Sequence, residues 1–292
     1  MKKLATALAA LLLLSPALFA ANDAPPEDTK VVFMQGQPTG SIKKITVNLK
    51  SENLVVSMSE DENISIRIDS NDTTSVPQVV FNAKEIKIDQ KAKIKKQDKR
   101  ICIITLSMPK DFNLQEMKIN AEKSDLMIMD ANIQKLTIST GDKGSVNLSG
   151  IKGQDLDIKT DKGDVSLETI DCDKTFKLVS SDGNVTLKDL KTTDFTLEAE
   201  KGKISADGIK AKKISVNADK ASAKIVMDST FEKDSVIYVS SGSAVLQLPP
   251  NAVLWTAGTV DKGRFRSEFT EDSKGALLSI KVGGGDLQIQ KK

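Results

Sequence analysis

Acidic and basic side chains stand next to each other at a fixed place in this chain, just ahead of a recurring turn. Two positions before each turn glycine, or the residue that replaces it, come Glu122, Asp142, Asp161, Ser181, Glu200 and Asp219. One position before it come Lys123, Lys143, Lys162, Asp182, Lys201 and Lys220. Stacked repeats set the acids in one column beside a basic one, and such a linear charged face has the chemistry to dock a polymer or a partner protein. Carboxylates in pairs are also the acid and base of glycan cleavage. A plainer reading competes with both: charged turns keep an edge solvated and deter aggregation between sheets, and exposed ion pairs contribute little stability.

Composition weighs against catalysis. There is no histidine among the 292 residues, so Ser-His-Asp and Cys-His arrangements are excluded and the commonest transition-metal ligand is missing. Neither CxxC nor a phosphate-binding glycine loop occurs; the glycines of VGGGDLQI at 282–289 lead into a strand, not a helix. A glycan-cleaving site calls for clustered acids beside arginine or aromatic platforms. This chain has four arginines (Arg67, Arg100, Arg264, Arg266) and 4% aromatics, with its acids spread over every repeat. Lysine follows most of the acids, and the glycine-aspartate nonapeptide of calcium-binding rolls is absent. We expect no enzyme, no cofactor and no metal.

The charged pairs ride on a repeat. Leu136-Thr-Ile138 leads to Gly144, Val146 and Leu148; Leu156-Asp-Ile158 leads to Gly163, Val165 and Leu167. Phe176 and Phe195 open the next two units, at steps of 20 and 19 residues. The pattern reaches outward to Ile45 and Met117 on one side and to Ile214, Val236 and Leu278 on the other. Within each strand apolar residues alternate with Ser, Thr, Asp, Lys or Asn, which gives one dry and one wet face. Each unit reads as strand, turn, strand, turn, and glycine suits the turn because it accepts positive φ. One unit cannot bury its dry face alone, whereas stacked neighbours make a continuous core. The expected fold is all-β, a parallel β-helix or β-solenoid with rungs of about 19–20 residues, right-handed by the usual rule for parallel crossovers.

Residues 1–20 read as a secretory signal peptide: Lys2 and Lys3, then a short apolar run ending in small residues. Removing them takes two of the 42 basic residues and none of the 40 acidic ones, so the mature chain is formally neutral and shows no nucleic-acid footprint. Residues 21–41 are expected to be a flexible leader and 42–292 the solenoid, with irregular coils at 64–110 and 249–277. No later stretch reaches the 18 or so apolar residues a membrane span needs. Cys102 and Cys172 are expected to be unpaired thiols, since several coils separate them. The one basic cluster, KAKIKKQDKR at 91–100, is expected to be a solvated strand–loop, and Trp255 is expected to pack under a long loop with Phe265 and Phe269.

The stretch SMPKDFNLQEMKINAEKSDLMI, the repeated xDxGxVxL units and the closing LQLPPNA…GRFRSEF…LSIKVGGGDLQIQ together resemble the putative adhesin family of exported bacterial β-strand-repeat domains, a family of unknown function. The resemblance covers roughly residues 42–292. It implies a parallel β-helix-like fold and a cell-envelope or surface location, and it carries over no catalytic residues. The expected function is a non-catalytic, exported module for adhesion or interaction, in the periplasm, on the outer surface or secreted. Its partner is expected to be a protein or polysaccharide of the envelope or surface, docked on Glu122, Lys123, Asp142, Lys143, Asp161, Lys162, Asp182, Glu200, Lys201, Asp219 and Lys220. The alternatives are a periplasmic structural scaffold and a carbohydrate-active enzyme.

Overall fold

The computed structural model describes residues 29–91 and 100–292. The expected signal peptide, the leader up to residue 28 and residues 92–99 of the basic run lie outside the described residues. The described chain is all-β and forms a parallel β-solenoid.

Alternation dictates the rungs. Along the strand Val165–Asp182 the buried residues are Val165, Leu167, Ile170, Cys172, Phe176, Leu178 and Ser180, and the residues between them, all polar except Val179, face out. Parallel pairing then keeps equivalent side chains in register. Leu136, Leu156, Phe176, Phe195 and Ile214 form one buried column on the first sheet. Val146, Val165, Val185, Ile204 and Ala223 form another on the second. Burying each large aliphatic or aromatic side chain contributes about 1.5–3 kcal/mol, and no rung has a core without its neighbours. Inside the rod the Phe176 and Phe195 rings meet at 5.7 Å between centroids.

A third buried column runs through Ile151, Ile170, Leu190 and Ile209. The rung therefore has a short third segment that the strand–turn–strand–turn reading lacks. The chain enters it through Gly150, Thr169, Asp189 and Gly208, whose φ values are 66°, 56°, 56° and 71°. Two of these four corners carry a side chain, so the sequence has no regular glycine to mark the bend. The opposite corner does use glycine, but for closeness more than for dihedral freedom. A Cβ on Gly183 would lie 2.2 Å from the Gly163 carbonyl oxygen of the adjacent rung, and one on Gly163 would lie 2.0 Å from that of Gly144.

Both ends are interleaved. The strand Lys44–Leu49 lies between Glu85–Asp89 and Asn113–Ala121, and Asn53–Ser59 lies between Cys102–Pro109 and Leu126–Met129. The first rung of the chain is thus second in the stack. Antiparallel strands close this end: Asn63–Ser70 on Cys102–Pro109, Lys30–Pro38 on Asn63–Ser70, and Gln78–Phe81 on Glu85–Asp89. At the other end the chain leaves Ser235–Val239 and Ser243–Leu248, skips a rung, and makes Leu254–Val260 and Arg264–Ser267 as the outermost layer. It then returns, and Ala276–Val282 and Asp286–Lys291 fill the skipped level. Residues 249–275, nearly all of the stretch that breaks the repeat in sequence, are this excursion.

Candidate functional site

The charged turns follow directly from the buried column that precedes them. Ala121, Thr140, Thr160, Ser180, Ala199 and Ala218 align on the inside. One residue further along, the chain leaves the core at Glu122, Gly141, Asp161, Ser181, Glu200 and Asp219. The next column is set by the pairs Asp142 with Lys162, Lys162 with Asp182, and Asp182 with Lys201. Lys123 and Lys220 extend it at either end.

Asp142 accordingly stands among the lysines and not in the acidic column where counting back from the glycine places it. The reason is Lys143, an extra turn residue with φ 65° between Asp142 and Gly144. The result is a column that alternates in sign through Lys123, Asp142, Lys162, Asp182 and Lys201. The Lys162 ammonium donates to Asp142 Oδ1 at 2.9 Å. That hydrogen bond holds the Asp142 carboxyl below its ordinary value and raises Lys162 above its own. The other corner follows the same rule, with Lys188 on Glu168 at 2.9 Å and Lys191 on Asp171 at 3.1 Å. Opposite charges facing across a strand pair are favourable, so the turn ladder neutralises itself rung by rung.

A second ladder lies just past the turn, where side-chain oxygens accept backbone N–H groups of the next rung. Asn53 Oδ1 accepts from Asp125 at 3.1 Å, Asp125 Oδ1 from Ser145 at 3.0 Å, and Asp164 Oδ1 from Asn184 at 2.9 Å. These side chains stitch the corner where the turn leaves backbone donors.

The feature that sequence reasoning missed is a buried ion pair near the antiparallel end. Glu52 and Arg100 have side chains 0% and 3% exposed, and the guanidinium bonds the carboxylate directly. The second carboxylate oxygen accepts the N–H groups of Lys50 at 2.8 Å and Ser51 at 3.1 Å, and Arg100 also donates to the Ser75 carbonyl. Arg100 closes the basic run expected to be solvated; it is buried because a partner 48 residues away waits for it. Only an unsupported carboxylate position at residue 52, where other rungs carry Ser124 or Gly144, hints at this in sequence.

Aromatic placement also differs from expectation. Phe265 and Phe269 pack on the core, but Trp255 is 42% exposed on the outer face of the first sheet. Tyr238 lies on the same face with the Lys281 ammonium 5.3 Å from its ring centroid. Cys102 and Cys172 are free and buried, and burial pushes both thiols up to about 11. Among the described residues no group of His, Cys, Asp and Glu is placed to hold a metal, and no helix is long and apolar enough to cross a membrane.

The family model described as Toastrack DUF4097 matches residues 42–252 and 173–292. No curated protein matches the chain. Among solved structures, a "putative adhesin" from Parabacteroides merdae is similar at 14% identity and a TM-score of 0.52, over 91% of this chain and 97% of that one. A "putative adhesin" from Bacteroides fragilis has 18% identity and a TM-score of 0.47, covering 91% and 98%. A "putative lipid binding protein" from Parabacteroides distasonis has 14% identity and a TM-score of 0.47, also covering 91% and 98%. At these identities the likeness concerns fold alone.

Proposed function

This chain belongs to the Toastrack DUF4097 family, and we propose that it is a non-catalytic adhesion or interaction module, exported to the cell envelope or surface. The observation that carries the reading is the rod itself. Its outer faces repeat from rung to rung in register, which gives an extended contact surface of the kind repeat proteins use for binding. The adhesin names borne by solved structures of similar fold support it, and the apolar segment at residues 1–20 supports export. Under this reading the turn ladder from Glu122 to Lys220 is one docking edge, and it favours partners that tolerate alternating charge.

Protease shaving of intact producing cells tests the proposal, with lysed cells as the accessibility control. Loss of the protein from intact cells is the expected result. Full protection in intact cells, with digestion after lysis, would sink the surface reading and favour a periplasmic scaffold.

A further inference from the structure

The outer face of the first sheet changes character toward the end where Trp255 lies, and it does so in three neighbouring columns at once. The middle column is a floor of short side chains: Thr196, Ser215, Val236, Ser279 and Ala257, each aligned with the next. On one side of it stand Asp194 and Lys213, then Asp234, and finally Leu277 with Trp255. On the other side stand Glu198, Asn217, Tyr238 and Lys281. Short residues between two rows of longer ones make a trough along the rod axis. It extends over four rung steps, roughly 19 Å at ~4.8 Å each, between rows about 13 Å apart at ~3.3 Å per residue. Lys177 closes the inner end, because its long side chain occupies the floor column and reaches Glu198 at 3.0 Å. The outer end is open past Trp255.

The geometry points to a neutral polysaccharide chain as the occupant of this trough, lying along the axis with one sugar ring against the Trp255 indole. The proposal rests on the adhesion reading and names its ligand. Charge decides between occupants. The rows carry carboxylates (Asp194, Glu198, Asp234) and ammonium groups (Lys213, Lys281), so a polymer of either single sign meets like charge along the path. A lipid chain would strand those charges against hydrocarbon. An extended peptide gains no main-chain pairing, because the trough lies on a sheet face and not at an edge. A second copy of the chain is disfavoured by area: Trp255 and Val236, at 42% and 37% exposure, are the large apolar groups most open here, whereas a stable interface takes about 800 Å² per partner. A neutral glycan matches what is left. Its hydroxyls pair with the Ser and Thr floor and with mixed-sign rows, and the aliphatic face of a sugar ring packs on an indole.

Trp255 is the only tryptophan of the chain, so its fluorescence reports this trough directly. The purified protein is titrated with dextran, mannan and mixed-linkage β-glucan, with alginate and polylysine as charged comparators. The expected result is a blue shift and about a twofold fall in acrylamide quenching with at least one neutral polymer. Ser215→Arg, which fills the floor away from the tryptophan, is expected to weaken that response at least tenfold with the far-UV circular dichroism unchanged. Trp255→Ala, read by affinity electrophoresis in the same polymer, is expected to lose its retardation. No response to any neutral polymer, an equal response to alginate or polylysine, or an unaltered Ser215→Arg titration overturns the proposal. The titration uses purified protein, so it stands apart from the shaving result. Beads coated with wild-type protein that adhere to cells, while the purified protein responds to no neutral polymer, would remove the trough and leave adhesion standing.

Discussion

Lys162 lies opposite Asp142 across one rung and donates to its carboxylate at 2.9 Å, while Asp182 flanks the same lysine on the next rung. One cation therefore sits between two anions of a stacked column. This arrangement sets the chemistry of the edge around Lys162, because inverting that charge would create three like charges in a row.

Lys162→Glu is expected to lower the melting temperature by about 1–3 °C at low salt, as like charges opposite one another are unfavourable. Added Asp142→Lys should return little of the loss, because the new glutamate still faces Asp182 and the new lysine faces Lys123. Salt at 1 M should erase the difference because exposed charges are screened within ~3 Å there. The pH dependence has a defined sign. Asp142 is depressed from 3.8, so its contribution is present above that value and is lost as pH falls through the lowered pKa. Lys162 is raised from 10.5, so its contribution is present below that value and is lost as pH rises through the raised pKa. A Lys162→Glu variant as stable as wild type at low salt would show that the ladder contributes nothing to the fold.

Gly183 tests the closeness of the turns. Its missing Cβ would meet the Gly163 carbonyl at 2.2 Å, whereas a Cβ on Gly40 meets nothing within 4 Å. Gly183→Ala is expected to cost about 1–3 kcal/mol through overpacking, and Gly40→Ala close to nothing. Equal urea midpoints for the two variants would contradict the stacked-carbonyl account. Ala221 stands in the same column with its methyl buried, so a cost near the lower end of the range is consistent with it.

Interleaving makes the last two rungs a single unit. Leu254–Val260 pairs with Ala276–Val282, and Arg264–Ser267 with Asp286–Lys291; apart from a single bridge to Glu271, neither outer strand has another ladder partner among the described residues. Ending the chain after Lys274 removes the inner rung and leaves the outer one unsupported. Amide exchange should then lose protection from about residue 249 onward, and the protected core should equal that of a chain ended after Asn251. Retained protection in 254–267 after the shorter deletion would show that the outer rung holds itself.

The regular middle of the rod was legible because steps of 19 or 20 residues bring Leu136, Leu156, Phe176 and Phe195 into one column, and alternation says which way they face. The third column was not legible, since Thr169 and Asp189 take left-handed backbone without the glycine that signals it. Stack order at the ends was hidden for a different reason: Ser235 pairs with Leu278, and no local pattern says that the intervening excursion lies farther out. For the ladder, residue types and the corner were readable, but one extra residue, Lys143, moved Asp142 into the other column. The trough needed three columns to be aligned at once, which only the pairing register supplies.

Glu52 and Arg100 bring a buried charge pair to the end where the parallel stack gives way to antiparallel strands. Each charge is stranded without the other, and breaking such a pair costs about 3–5 kcal/mol, more than the pair itself contributes. Arg100→Met should therefore destabilise strongly even though residues 92–99 beside it are rich in lysine. Glu52→Gln should cost a comparable amount: an amide oxygen still accepts from Lys50 and Ser51, but the buried Arg100 guanidinium loses its carboxylate. The double variant Glu52→Gln/Arg100→Met should recover part of the loss, since it removes both charges and keeps the volume of the arginine stem. Urea midpoints of the four proteins close the cycle. Additive losses in the double variant would mean that Arg100 acts through its bond to the Ser75 carbonyl and that its contact with Glu52 carries no coupling.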